Sequence, residues 1–356
     1  MNTNVSPGAA SVYIGRFQPF HGGHAALLRR ALAAAELCVV VIGSAFQARS
    51  PKNPFTWQER AEMIRLAAAE VDRERLLFLP VRDYYDGDRW TAAVRRGVAD
   101  ALAGRSIAAQ NIALFGHFKD ASSDYLNGFA DWQLHGLERQ SAANATAIRN
   151  AYFAGAGGDI EAALAALVEQ APPATLAFLR AWAELPHYAA LAQEWRCLRD
   201  YRASWAAAPY PPVFVTVDAV VHCAGRVLLV RRGQAPGKGL YALPGGFIEQ
   251  NETVYESALR ELREETALGL LEMSLRQCLK QVRVFDHPER SQRGRTITHA
   301  HYFDLGSREL PEVHAGDDAA GAEWLPVAQL PALEAGFLDD HFHILDYFFG
   351  LTRGEG

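Results

Sequence analysis

Over its first half the chain alternates short apolar runs with longer stretches of helical periodicity. Val12 to Gly15, Leu37 to Gly43, Leu76 to Val81 and Asn111 to Gly116 have the length and the valine and leucine content of buried strands. Ala25 to Glu36, Trp57 to Ala69 and Ala92 to Ala103 fill the intervals as helices. This alternation predicts a doubly wound α/β domain through about residue 150, with ligands received at the carboxyl ends of a parallel sheet. Asp159 to Glu169 and Thr175 to Glu184 are alanine-rich helical segments divided by Pro172-Pro173, and Tyr188 to Trp205 reads as one further helix. That block either completes the first domain or bridges to a second. Pro209-Tyr210-Pro211-Pro212 propagates neither a helix nor a central strand and marks a linker. Beyond it Val213 to His222 and Arg226 to Arg231 predict a hairpin, followed by a glycine-rich loop (Gly237 to Gly246) and a helix (Val254 to Glu265). Gln277 to Phe285 and Thr298 to Leu305 are strand-like, and Ala328 to Ala335 and His341 to Phe349 read as closing helices. The resulting division is residues 1–185 as a first domain, 186–212 as a helical connector and proline-rich linker, and 213–356 as a second domain.

Composition narrows the function classes. A chain of 356 residues exceeds the length at which single cores stop growing, so two domains are expected. The formal charge of -6 leaves no basic surplus to replace phosphate counterions, which argues against a nucleic-acid binder. No apolar run reaches the roughly 18 residues of a membrane span, and Met1 to Ala9 has neither the basic start nor the apolar stretch of a secretion signal. Cys38, Cys197, Cys223 and Cys278 lack metal-ligand spacing and read as buried free thiols in a reducing compartment, so a cytoplasmic location is expected.

Two segments carry chemistry. Gly15-Arg16-Phe17-Gln18-Pro19-Phe20-His21-Gly22-Gly23-His24 lies between a strand and a helix. There His21 and His24 can meet phosphates held by free helix amides and stabilise charge building on a transferring phosphoryl group. On residues alone a plain Gly22-Gly23 turn with locally satisfied histidines fits equally. In the second half, Glu261, Glu264 and Glu265 stand at i, i+3 and i+4, so their carboxylates share a helix face. Such a group suits magnesium or manganese, and Leu243-Pro244-Gly245-Gly246 can bring backbone amides to a diphosphate. A solvated acidic helix face is the bland alternative.

The first segment resembles the nucleotidylyltransferase superfamily, and within it the nicotinamide mononucleotide adenylyltransferases of archaeal type. Lys52-Asn53-Pro54-Phe55-Thr56 with Glu59-Arg60, Gly116-His117-Phe118-Lys119-Asp120, and Asn144-Ala145-Thr146-Ala147-Ile148-Arg149 resemble its further motifs. Asn144 and Ala145 replace the usual serine and glycine of the last one. The resemblance covers roughly residues 11–153. It implies that Arg16, His21, His24 and Arg149 hold the triphosphate of ATP, with Gly15, Phe17 and Thr146 in the same substrate-binding surface. The Phe17 and Phe20 rings are expected to pack within the loop. It further implies His117, Lys119 and Asp120 near the nucleotides, and Trp90 either stacked on the nicotinamide ring or packed as a core aromatic.

Gly246, Glu252, Arg260, Glu261, Leu262, Glu264, Glu265 and Leu268 are in register with the box of the Nudix hydrolases, which the region from Val213 to about Phe349 resembles; Ala267 replaces the box's final glycine. This resemblance implies Glu261, Glu264 and Glu265 as ligands of Mg2+, with Mn2+ possible, Glu252 in support, Arg260 orienting carboxylates, and Gly245 and Gly246 at the substrate. Arg293 and Arg295 are candidates for a terminal ribose phosphate, an exposed loop being the alternative.

The fold class implied is an α/β Rossmann-like nucleotidylyltransferase domain followed by an α+β Nudix domain, an α/β/α sandwich with a mixed sheet. Together the modules resemble bacterial bifunctional proteins. That implies ATP, nicotinamide mononucleotide and ADP-ribose as small-molecule substrates, no nucleic-acid or membrane partner, and a homo-oligomer. The alternatives for the second module are another nucleoside diphosphate derivative as substrate, or a non-catalytic ADP-ribose sensor.

Overall fold

The computed structural model describes residues 8–107, 111–116, 128–136, 144–307 and 309–353. The chain forms two compact units, Met1–Gln193 and Glu194–Glu355.

In the first unit β1 (Gly8–Gly15), α1 (Gly22–Ala34), β2 (Ala35–Ile42), α2 (Trp57–Ala67), β3 (Leu76–Pro80), α3 (Gly87–Ala103), β4 (Ala113–Gly116) and β5 (Gln133–Gly136) follow in order. The five strands form one all-parallel sheet in the order β3-β2-β1-β4-β5, with Val12 opposite Val39 and Leu114. Val12, Val39, Val41 and Leu114 are fully buried and pack against Val94, Val98 and Leu102 of α3, which is why these strands read as unbroken apolar runs. The order reverses at β1, so the carboxyl end of β1 is the switch point where such sheets receive ligands. α4 (Ala145–Ala154), α5 (Ile160–Ala165), α6 (Pro173–Trp182) and α7 (Pro186–Ser204) follow. α7 fills residues 186–204 of the stretch expected as helical connector and linker, and the first unit ends within it, at Gln193.

The second unit holds β6 (Val213–Cys223), β7 (Arg226–Arg232), β8 (Tyr241–Ala242), β9 (Gly245–Phe247), α8 (Val254–Thr266), α9 (Glu272–Cys278), β10 (Leu279–Phe285), β11 (Arg295–Asp304), β12 (Ala319–Pro326) and α10 (His341–Phe349). Its mixed sheet runs β10-β11-β6-β7-β12, with β8 on β7 and β9 on β6. β6 pairs in parallel with β11 and antiparallel with β7. Alternate residues of β6 face opposite layers: Ala219, Val221 and Cys223 join Leu259 and Leu262 of α8, whereas Val220 joins Phe342, Ile344 and Leu345 of α10. The result is the expected sandwich.

Three local expectations are corrected. Residues 327–336 form a 3-10 helix, because Pro331 has no N–H to continue an α ladder. The glycine-rich loop contains β8 and β9, and β12, whose Ala-Ala-Gly start hides the pattern, is an additional strand. Cys197 is exposed, while Cys38, Cys223 and Cys278 are buried thiols. Ala267, at the position of the box's final glycine, caps α8 in the left-handed region with φ 49, a conformation that costs an L side chain roughly 1 kcal/mol. Ala267→Gly is therefore expected to raise the thermal unfolding midpoint of this unit slightly, as read by calorimetry.

Candidate functional sites

The first site is built at the carboxyl end of β1. Phe17 takes φ 53 and tucks its ring, 1% exposed, beneath the loop, edge-on to Tyr13 at 5.1 Å and to His24 at 5.0 Å. A Cβ at Gly15 would stand 2.7 Å from that ring, so the turn requires glycine there. With Phe17 as the floor, His21 caps α1, and its ring stacks on that of His24 with centroids 3.6 Å apart. Both imidazoles thus meet at the start of α1, where the helix dipole favours an anion.

Arg149 comes to the same place from α4. Its Nη1 donates to the Gln18 carbonyl at 2.6 Å and its Nη2 to Thr146 Oγ1 at 3.2 Å. Burial, then the charge of Arg16, lowers its pKa to about 10. Both influences oppose the cation, so a bound polyanion would relieve them. Asn144 caps α4 by accepting the Thr146 N–H at 2.8 Å. Arg16, His21, His24, Thr146 and Arg149 are therefore gathered as the motifs suggest, whereas Phe17 is a packing residue. Trp90 is half-buried on the first turn of α3, edge-on to Phe129 at 6.1 Å and packed against the core. His117, Lys119 and Asp120 lie outside the described residues.

Two supports of this site, Arg60 and Gln18, stand within the quoted motifs but were given no role from sequence. Arg60, 1% exposed, donates to the carbonyls of Arg16 at 2.7 Å, Gly43 at 2.7 Å and Ser44 at 3.0 Å, tying together the segments that leave β1 and β2. Gln18 clips Phe55 from both sides, donating to its carbonyl at 2.8 Å and accepting its N–H at 3.1 Å. The signal for Arg60 was a charge inside the apolar stripe of α2.

The second site centres on α8, started by a Thr253–Glu256 capping box. Arg260 is its hub, donating to Glu252 at 2.9 Å, Glu261 at 2.9 Å, Glu264 at 3.0 Å and the Phe247 carbonyl at 3.2 Å. Glu265 points inward instead and accepts the Gly245 N–H at 3.0 Å. Burial, offset by that bond and reinforced by Glu261, raises Glu265 to about 7. Burial also raises Glu261 against the opposing pull of Arg260. A Cβ at Gly246 would lie 2.3 Å from the Glu261 carboxylate, and one at Gly245 would lie 2.2 Å from the Val217 carbonyl, so Gly246 lets β9 approach α8 and Gly245 lets it lie against β6.

The single acidic face expected from i, i+3, i+4 spacing is thus divided. Among the described residues no three acidic, histidine or cysteine side chains stand together as a metal cage, and Glu261 and Glu264 are both paired with Arg260. The donor chemistry nevertheless fits a hard divalent cation. All three groups are carboxylates, burial raises Glu261 and lifts Glu265 to about 7, a penalty on the charged form that a bound cation would relieve, and the Glu264 side chain is 47% exposed.

A cleft beside Glu265 is lined by Arg232, Gly245, Phe247, Arg293 and His341 among others. Arg293 stands over the Phe247 ring at 5.7 Å. Arg295 is not among the lining residues and donates to the Asp286 carbonyl. Beneath the cleft, Arg290 forms a two-point pair with Asp340 at 2.8 and 2.9 Å. Asp218 accepts from Thr298 at 2.6 Å, and burial lowers His341 to about 4, leaving its Nδ1 to accept the Leu243 N–H at 2.8 Å. Sequence reasoning missed this buried group; Asp218, a lone acid in an apolar strand, was its visible signal.

Comparison with known proteins matches both halves. Residues 212–348 match the NUDIX domain model and residues 12–80 the cytidylyltransferase-like model. The nicotinamide/nicotinic acid mononucleotide adenylyltransferase of Acinetobacter baylyi is 34% identical over 187 residues, covering 52% of this chain and 92% of that protein. The ADP-ribose pyrophosphatase of Methanocaldococcus jannaschii is 40% identical over 119 residues, 33% of this chain and 65% of that one. A crystal structure of a bifunctional NMN adenylyltransferase/ADP ribose pyrophosphatase from Francisella tularensis superposes with TM-score 0.87 at 33% identity, covering 96% of this chain and 98% of that chain. A second structure of that bifunctional protein, complexed with AMP and Mn ion, superposes with TM-score 0.85. The chain belongs to this family, the bifunctional nicotinamide mononucleotide adenylyltransferase/ADP-ribose pyrophosphatases.

Proposed function

We propose that the first unit transfers AMP from ATP to nicotinamide mononucleotide, giving NAD and pyrophosphate, and that the second hydrolyses ADP-ribose to AMP and ribose 5-phosphate. The observation that carries the reading is that one chain holds both the stacked histidines at the start of α1, with Arg149 bonded to Gln18 of the same loop, and the Arg260-centred glutamate helix.

In the first reaction a phosphate oxygen of the mononucleotide attacks the α-phosphorus of ATP. The bond to the bridging oxygen breaks, and pyrophosphate leaves with the electron pair. No residue need form a covalent intermediate, so the protein's work is positioning and charge stabilisation. Arg16, Arg149 and the two histidines hold the triphosphate and meet the charge that grows on the leaving group. The exposed part of the Trp90 ring is the proposed nicotinamide contact.

In the second reaction a water oxygen attacks one phosphorus of the diphosphate, and the bridging oxygen leaves with the other phosphate. Glu261, Glu264 and Glu265 would hold a divalent metal, which when bound polarises the diphosphate and acidifies water. Arg260 would hold Glu252 and steady the helix face, and Arg293 would meet phosphate in the cleft. Gly246→Ala is expected to cut ADP-ribose hydrolysis at least tenfold, with adenylyl transfer unchanged, because its methyl would displace Glu261; assaying both reactions on one preparation checks this.

The reading is tested by chromatography of products. The protein is incubated with Mg2+ and either ATP plus nicotinamide mononucleotide, or ADP-ribose beside NADH, diadenosine polyphosphates and oxidised nucleoside triphosphates. NAD from the first mixture and AMP with ribose 5-phosphate from the second are expected. Cleavage of another panel member alone would reassign the second unit's substrate, and cleavage of none would make it a sensor.

A further inference from the structure

One block of the first unit belongs to neither motif set: α5, α6 and the start of α7, residues 159–193. Each segment that builds the first site is tied to it by a directed bond. At the start of α1 the Gly22 N–H donates to the Gln170 carbonyl at 2.8 Å, and a Cβ at Gly22 would stand 3.2 Å from that oxygen. One of the amides that a helix N-terminus would offer to phosphate is therefore already taken. At the start of α2 the Trp182 Nε1 donates to Glu59 Oε1 at 3.1 Å. The same carboxylate accepts both Arg49 guanidinium nitrogens, at 2.6 and 2.9 Å, and the Thr56 N–H at 2.7 Å. Trp182 thus completes the shell of the acid that caps the helix carrying Arg60. On α4, one turn beyond Arg149, the Tyr152 hydroxyl donates to the Leu179 carbonyl at 2.7 Å, and Tyr188 donates to the Tyr152 carbonyl at 2.6 Å.

We infer that this block is a positioning element of the adenylyl-transfer site, fixing the starts of α1, α2 and α4 against one another through Gln170, Trp182 and Tyr152. The inference rests on the adenylyltransferase reading above. These bonds lie on three different site segments and converge on one block of helices, so loss of any one frees a segment without removing a ligand-touching group. Sites that hold a polyanion with amides and guanidiniums tolerate little displacement, a shift of about 1 Å costing on the order of a hundredfold.

The test uses the full chain with Trp182→Phe and Tyr152→Phe. The first keeps an aromatic ring for the edge contact on Phe55, which lies 5.0 Å away, but loses the indole donor and shrinks the ring that meets Arg49 at 5.7 Å and Tyr188 at 6.3 Å. The second loses one hydroxyl and keeps its ring. Steady-state adenylyl transfer is expected to show KM for ATP raised roughly fivefold in each variant, with kcat within about twofold. Hydrolysis of ADP-ribose should match the parent. Lowered thermal midpoints with an unchanged KM for ATP in both variants would reduce the block to a stabilising role and overturn the inference. A parent that makes no NAD defeats the underlying reading instead, so the two failures are told apart.

Discussion

Glu264→Gln combined with Glu265→Gln is expected to lower ADP-ribose hydrolysis by about a thousandfold or more, leaving NAD synthesis by the same molecule at the parent rate. Losing two carboxylates removes the charge that would hold a divalent cation against the diphosphate, a contribution of several kcal/mol where roughly 1.4 kcal/mol is tenfold in rate. Glutamine keeps the size of each side chain, and its amide oxygen still accepts the Gly245 N–H, so β9 should keep its place on α8. Chelation of metal in the parent should reproduce the loss, and added Mg2+ or Mn2+ should reverse it only in the parent.

The same acid gives a stability signature of opposite sign. Burial lifts Glu265 from an ordinary 4.5 to about 7 in the metal-free fold. The folded unit therefore keeps a proton that the unfolded chain has lost, and the stability this confers is full below 4.5 and is lost as pH rises through 7. Above that window the buried charge costs on the order of 3 kcal/mol. Glu265→Gln alone should raise the metal-free melting temperature of the second unit at pH 8 and change it little at pH 4. Equal midpoints at pH 8 would show that Glu265 carries no buried charge. A residue whose removal abolishes hydrolysis while stabilising the protein is there for chemistry.

How far these sites could be read from sequence depended on how local their determinants are. The strand-loop-helix geometry of Gly15 to His24 and the i, i+3, i+4 spacing of the glutamates each lie within one short stretch of chain, and the fold follows both. What spacing did not carry is the direction of each side chain. Glu265 turns inward because Gly245, from β9, offers it an N–H, and Glu264 turns outward to Arg260. Arg60, Asp218, Asp340 and Trp182 act across sequence separations that only tertiary packing closes. Their one-dimensional trace is a charged or amphipathic residue placed where the pattern calls for an apolar one. The short β5 and the longer β12 escaped for the converse reason, since pairing with a neighbouring strand defines them more than their own residues do.

Arg149→Ala is expected to lower kcat/KM for adenylyl transfer by roughly a hundredfold to a thousandfold, the loss that follows removal of one preorganised donor to transition-state charge. Arg149→Lys should recover only part of it. A lysine ammonium is a single point of charge, whereas the guanidinium serves the Gln18 carbonyl and Thr146 with separate nitrogens and keeps further N–H groups for phosphate. Stability distinguishes this account from simple damage. Burial and Arg16 both act against the charged form of Arg149, so the ligand-free protein gains little from it. The alanine variant should melt close to the parent without nucleotide. Saturating ATP should then raise the parent's midpoint well above the variant's, since a ligand stabilises only the fold that binds it. Should the variant melt far below the parent without ATP, the tie to Gln18 would be the main task of Arg149, and the phosphate role would pass to Arg16 and the histidines.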